Sequence, residues 1–260
     1  MALIQANFKS EALLRAVTIQ VILPVDGYSE YGMPEPKNND KPYKTLYLLH
    51  GIFGNCMDWI TKSRIQRWAH EKNIAVVMPS GDNSFYIDQP ESRNLYGEFI
   101  GQELVDVTRK MFPLSHKRED TYIGGLSMGG FGAVLNGLKY HKTFGYIAGL
   151  SSALHILDDM ENIKNSPMAY ILSCFGNLEE AVLSDKNPRV LVKKLKEEGA
   201  EFPKIFLACG TEDALIDSNR AYRDFFLENG VDLTYCEGPG RHDWDFWDLY
   251  IQKVLEWLPL

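Results

Sequence analysis

The sequence predicts an α/β fold built on a mostly parallel central sheet with helices on both faces. Short apolar runs rich in β-branched residues recur along the 260 residues, they alternate with stretches of helical periodicity, and Gly, Pro and Asn punctuate the joints. Strand and helix in alternation is the pattern of parallel strands joined by crossover helices. With 45% hydrophobic and 12% aromatic residues there is material for a sizeable core, which excludes a disordered chain. Domains of this class often run past about 200 residues as one unit, so a single domain over 1–260 is expected.

The elements follow in order. Residues 16–23 (AVTIQVIL) read as a strand, and 24–42, rich in Gly, Pro, Asn and Tyr, as a long surface loop. Residues 45–50 (TLYLLH) form an apolar run suited to a buried parallel strand. A helix is expected over 58–70, then a strand over 74–78 (IAVVM) stopped by Pro79. The helix over 95–112 is ended by Pro113. Next come a strand at 121–123, a helix at 131–140 and a strand at 146–150. Strands at 204–208 (KIFLA) and 231–236 (VDLTYC) complete the sheet, with a helix over 214–228 between them and a last one over 244–257. The stretch 153–203 breaks the alternation. It reads as a short helical insertion over the C-terminal edge of the sheet.

Charge and composition narrow the function. There are 27 Lys and Arg against 35 Asp and Glu, a net charge of −8, which argues against a nucleic-acid partner. The basic run Lys193-Lys194-Leu195-Lys196 is short and reads as the solvated face of a helix. No segment approaches about 18 uninterrupted apolar residues, so no membrane span is expected. The first ten residues lack the charged-then-apolar order of a secretory leader, and the expected location is cytoplasmic. Cys56, Cys174, Cys209 and Cys236 show no CxxC spacing; free thiols in a reducing compartment are expected, and no metal or other cofactor. A homo-oligomer is left open.

The sharpest chemical signal is Gly125-Leu126-Ser127-Met128-Gly129, placed directly between a strand and a helix pattern. A nucleophilic serine has to stand exposed on a turn so tight that neighbouring side chains would clash, and glycines remove those Cβ atoms. A glycine-rich packing turn is the plainer alternative, but the strand–turn–helix context favours the nucleophile. A serine hydroxyl then needs a base held by an acid, in the chain order Ser, Asp or Glu, His. His155 leaves no room for a strand carrying the acid. His242, after the last strand and the Gly238-Pro239-Gly240 loop, satisfies the order. The acid is sought after strand 204–208, where Glu212, Asp213 and Asp217 are available. Asp213 is the best placed, although it could also cap the next helix. His50-Gly51-Ile52-Phe53-Gly54 matches the loop that supplies one oxyanion amide, which gives Ile52 and Met128 as donors and leaves His50 structural. Phe53, Trp59, Phe85, Tyr86, Trp244 and Trp247 fall on loops near this site; Phe53, Trp59, Tyr86 and Trp244 are taken as substrate-binding candidates.

The stretches YLLHGIFGNCMDW, KREDTYIGGLSMGGFGA, GTED and HDWDFW together resemble the esterase D group of α/β-hydrolases, over roughly 47–257. That group includes tributyrin esterases, S-formylglutathione hydrolases, the feruloyl and acetylxylan esterases of carbohydrate esterase family 1, and mycolyltransferases. The tributyrin esterase arm is nearest. The resemblance implies an α/β-hydrolase fold, Ser127 as nucleophile, Asp213 as acid, His242 as base, and the Ile52 and Met128 amides as oxyanion donors. S-formylglutathione hydrolases typically carry Gly-Leu-Thr-Cys where this chain has Gly51-Ile52-Phe53-Gly54, which turns the expectation away from glutathione thioesters. The expected activity is therefore a serine carboxylesterase acting through an acyl-enzyme on a small-molecule ester. The insertion is too short for a large lid, so acyl chains of about two to six carbons are favoured. The alternatives are a feruloyl or acetylxylan esterase, a thioesterase, or a non-catalytic binding module on the same fold.

Overall fold

The computed structural model describes residues 1–25 and 41–260; the loop expected over 24–42 lies almost wholly outside the described residues. β1 (Ala2–Ser10) and β2 (Arg15–Leu23) pair antiparallel along their full length. β1 is not among the strands expected from the sequence, yet its alternation is clear in the structure. Ile4, Ala6 and Phe8 turn toward the core while Leu3, Gln5, Asn7 and Lys9 are exposed. β3 (Thr45–Leu49) and β4 (Ala75–Pro79) are buried at every position, as a strand covered on both faces must be.

Between β3 and β4 the helix expected over 58–70 is two helices, α1 (Asp58–Lys62) and α2 (Ile65–Glu71). The break has a cause. Ser63 is extended, and the backbone N–H and Nε of Arg64 both donate to the Asp248 carboxylate, each at 2.7 Å. A short antiparallel pair, β5 (Asp88–Gln89) and β6 (Asn94–Leu95), comes next and carries too few residues for a periodic signal. The helix expected over 95–112 is present as α3 (Tyr96–Glu98), a π-turn at Phe99–Glu103, and α4 (Leu104–Met111).

β7 (Thr121–Leu126) and α5 (Met128–Lys139) are both longer than the sequence pattern indicates, so that Ser127 alone separates them. β8 (Tyr146–Leu150) follows as expected. Residues 153–203 hold α6 (Met160–Lys164), a 3₁₀ segment at Ala169–Phe175, α7 (Leu178–Leu183) and α8 (Pro188–Glu197). α8 starts with Pro188 behind an Asn187 cap, and it packs on α5. β9 (Lys204–Gly210), α9 (Ile216–Glu228), β10 (Leu233–Gly238) and α10 (Trp244–Trp257) complete the chain.

The sheet order is β1-β2-β4-β3-β7-β8-β9-β10. β2 runs antiparallel to both of its neighbours, and the other five pairings are parallel. Side chains alternate between two cores. Leu46, Val76, Tyr122 and Phe206 face α1, α2 and α10; Tyr47, Val77, Ile123, Ile147 and Leu207 face α4, α5, α8 and α9. This is the α/β-hydrolase fold expected from the sequence. Among the described residues no helix is long and apolar enough to cross a membrane.

The π-turn carries Glu103, which fastens the β1–β2 turn to the rest of the molecule. Its carboxylate accepts from the Ser10 hydroxyl at 2.5 Å and from the Glu11 and Ala12 amides at 2.6 and 3.3 Å. Hydrogen bonds to a charged group are worth about 1.5–3 kcal/mol, and each kcal/mol moves the melting point of a chain this size by roughly 2–4 °C. Glu103→Ala is expected to lower the melting temperature by roughly 3–10 °C and leave the catalytic rate within about twofold of wild type. An unchanged melting temperature would show that the turn holds without this carboxylate.

Candidate active site

Ser127 occupies the whole reversal from β7 into α5, at φ 53° and ψ −117°. Such a conformation costs a non-glycine residue about 1–3 kcal/mol and persists only where the surroundings enforce it. They do so here. A Cβ on Gly125 would lie 2.4 Å from the Gly129 carbonyl oxygen, and one on Gly129 would lie 2.5 Å from the carbonyl oxygens of both Leu49 and His50. β3, β7 and the start of α5 therefore close on one another at a distance only glycine permits. The Ser127 amide donates to the Leu150 carbonyl at 2.9 Å, and its own carbonyl accepts from Phe131 and Ala153. Only the hydroxyl is left to face the site, at the positive end of α5.

His242 reaches that hydroxyl, and Asp213 reaches His242, from the loops after the two outermost parallel strands. Their loops are tied together. The Thr211 amide donates to the Gly238 carbonyl at 2.9 Å and the Glu212 amide to the Gly240 carbonyl at 3.1 Å, which prolongs the β9–β10 ladder beyond the strands. A Cβ on Gly210 would strike the Gly240 carbonyl at 2.2 Å, so this contact too depends on glycine. His242 Nδ1 lies 2.9 Å from Asp213 Oδ2, and His242 Nε2 lies 2.9 Å from Ser127 Oγ. A carboxylate only accepts, so Nδ1 carries the proton and Nε2 is free to accept the serine O–H. Asp213 Oδ1 accepts from the Leu215 amide at 2.8 Å. One carboxylate thus both caps the turn into α9 and orients the imidazole. Burial would raise the Asp213 pKa, but the His242 bond, the Leu215 amide and the Ser151 hydroxyl hold it below the usual carboxylate value. Asp217 is elsewhere, exposed and paired with Arg220 at 3.4 Å.

The 50–54 loop lies against Ser127. A Cβ on Gly51 would come 3.5 Å from the Ser127 Cβ. Met128 opens α5, where amides lack a partner inside the helix. His50 is buried and fixes the loop: Nδ1 donates to the Gly51 carbonyl at 2.7 Å, Nε2 accepts from the Gly81 amide at 2.8 Å, and its own carbonyl accepts from the Tyr86 hydroxyl. The aromatic candidates separate. Phe53 is 73% exposed at the loop tip, its amide bonded to Asn83. Trp244 is half-buried. Tyr86 and Trp59 are corrections, because both are fully buried and each spends its polar atom on the β3 end, Tyr86 on His50 and Trp59 on the Leu49 carbonyl. They support the loop from behind. Phe85 is also core, in contact with Phe131 and Phe175.

Two groups at the site carry no motif in the sequence. Ser151, just past β8, and Cys209, near the end of β9, stand within electrostatic reach of Asp213. Burial, with Asp213 beside it, pushes the Cys209 thiol up to about 12, so it stays protonated. A hydroxyl hydrogen-bonded to an imidazole that is itself held by a carboxylate is an arrangement suited to attack on an electrophilic carbon. Among the described residues no cluster of His, Cys, Asp and Glu is grouped to hold a metal ion.

The family model described as "Putative esterase" matches residues 10–258. An acetyl esterase of Caldicellulosiruptor saccharolyticus is 45% identical, over 99% of this chain and 98% of its own. Two solved structures from Staphylococcus aureus are each 29% identical, over 99% of this chain and 98% of theirs. The S-formylglutathione hydrolase FrmB superposes with a TM-score of 0.84, and FphF, a fluorophosphonate-binding serine hydrolase, with 0.86.

Burial lowers the His50 pKa from its usual 6.5, despite the Gly51 bond. A group whose folded value is depressed favours folding above its unfolded value, and that share of stability is lost as pH falls below it. His141 and His155 are displaced the same way, also by burial. The melting temperature is expected to fall between pH 7 and pH 5. His50→Gln should start lower at pH 7 and fall less across that range; equal falls would mean that His50 does not contribute.

Proposed function

Because this chain belongs to the esterase family and is a serine esterase, we propose that Ser127, His242 and Asp213 are its triad and that short acyl esters are its substrates. The observation that carries the reading is the unbroken line of two 2.9 Å hydrogen bonds ending at a hydroxyl on a strained turn. Ser127 Oγ attacks the ester carbonyl while His242 Nε2 takes its proton. The imidazolium is stabilised by the Asp213 carboxylate, and the amides of Ile52 and Met128 hold the oxyanion. His242 then returns the proton to the leaving alcohol. Water, deprotonated by the same imidazole, releases the acid from the acyl-enzyme.

The acetyl esterase relative supports a small acyl group. Phe53 and Trp244 are the aromatic walls at the mouth, within one hydrolase domain over 1–260. A second reading, hydrolysis of the thioester S-formylglutathione, is favoured by the likeness to FrmB. A panel of p-nitrophenyl acetate, butyrate and octanoate beside S-formylglutathione separates the two. Acetate or butyrate is expected to turn over fastest, and a clear preference for the thioester or for octanoate would overturn the short-ester reading.

Ser127→Ala is expected to abolish both ester hydrolysis and fluorophosphonate labelling with the melting temperature preserved. Labelling that persists on another serine would refute the assignment. An amide in place of the acid permits the wrong imidazole tautomer, so Asp213→Asn should lower kcat by about 10²- to 10⁴-fold and Asp217→Asn by less than about tenfold. The reverse ranking would move the acid to Asp217.

A further inference from the structure

Ser151 is the first residue past β8. Leu150, just before it, pairs with Leu126 on one side and Ala208 on the other. The Ser151 amide continues the ladder to the Ala208 carbonyl at 2.7 Å, so Ser151 stands abreast of Ser127, one strand nearer the acid. It is fully buried and sits at φ 47°, in the left-handed region that glycine adopts without a clash. The backbone gains nothing from a side chain there. Its value must lie in the hydroxyl.

That hydroxyl has a defined direction. The Trp247 indole N–H, which can only donate, points at Ser151 Oγ from 3.1 Å. The serine lone pair is therefore engaged, and its own proton is left to turn toward the Asp213 carboxylate, which the Ser151 hydroxyl helps hold below its usual pKa. The same indole meets the His242 ring edge-on, with centroids 5.0 Å apart and planes at 89°. Trp247 thus fixes the base directly and the acid through Ser151.

We propose that Ser151 is a positioning residue for the triad acid: aimed by Trp247, its hydroxyl holds the Asp213 carboxylate in the plane that presents Oδ2 to His242 Nδ1. This role rests on the triad reading above. Ser151 touches neither substrate nor the reacting oxygen, so its loss should appear in kcat and not in KM. A group that acts through Asp213 should also lose its effect once that carboxylate is gone.

The test is a double-mutant cycle on kcat and KM with melting curves alongside. Ser151→Ala is expected to lower kcat roughly five- to fiftyfold, the effect of removing one hydrogen bond to a charged group in a connected network, with KM within about twofold. In the Asp213→Asn background the same substitution should cost less than about twofold. Trp247→Phe, which keeps a ring and removes the N–H, should lower kcat by less than Ser151→Ala, and the pair should be no worse than Ser151→Ala alone. Ser151→Gly covers the event that the alanine variant does not fold: it takes the same φ freely, and should melt no lower than wild type while showing the same loss of kcat. Equal losses from Ser151→Ala or Ser151→Gly with and without the Asp213 carboxylate would overturn the positioning role alone, as would a Ser151→Gly enzyme of full activity. A fully active Asp213→Asn enzyme would overturn the triad reading, and this role with it.

Discussion

The active-site end of the molecule depends on how closely β7 and α5 approach the end of β3. The Leu49 and His50 carbonyls occupy the space that side chains at 125 and 129 would need. Once the three segments are that close, the chain has one residue in which to reverse direction, and that residue is forced out of the ordinary Ramachandran regions. The hydroxyl is raised on the turn and the first amides of α5 are brought beneath it. The same approach sets the 50–54 loop against the serine, with His50 and Tyr86 bracing it from the core. A packing constraint between backbones therefore sets the Ser127 hydroxyl, the start of α5 and the 50–54 loop together.

Strain is gathered along one edge of the sheet. Six of the nine non-glycine residues with positive φ among the described residues, Phe53, Asp82, Phe85, Tyr86, Ser127 and Ser151, follow the C-terminal ends of β3, β4, β7 and β8. Each costs about 1–3 kcal/mol locally, offset by the buried ladders beneath and by contacts such as the Phe85–Phe131–Phe175 cluster. Opposite them, Trp59, Trp244 and Trp247 stack edge to face in a line that ends on the His242 ring. The imidazole is thereby held by packing as well as by its carboxylate.

The sheet was legible wherever strands are covered on both faces, because a run such as 74–78 is apolar at every position and needs no register. β8 and α10 match their expected bounds for the same reason of strong local pattern. The misses are places where a tertiary contact outweighs periodicity. The helix at 58–70 breaks because Asp248 on α10 binds the backbone N–H and the guanidinium of Arg64, and no local window contains that partner. That Ser127, His242 and Asp213 come within hydrogen-bond reach of one another is legible from spacing and order, since turn chemistry and topology both leave marks in sequence. Ser151 leaves none: its place is defined by the register of β8 against β7 and β9 and by an indole 96 residues away. Trp59 and Tyr86 read as pocket walls in sequence because loop aromatics and core aromatics look alike until burial is known.

Ser127 and His242 belong to regions of unequal depth. β7 lies in the interior of the sheet and is buried throughout, whereas β10 is an edge strand, half-buried at every position, with one neighbouring strand to hold it. Regions with few buried contacts are the first to open, at free energies well below that of global unfolding. Detachment of β10 would carry the 238–242 loop away from the 211–213 loop it is stitched to, and leave an intact core bearing Ser127 without its His242 contact. Warming would then part Ser127 from His242 before the molecule melts, and cooling would rejoin them, because the part that leaves is the part with the least to rebuild.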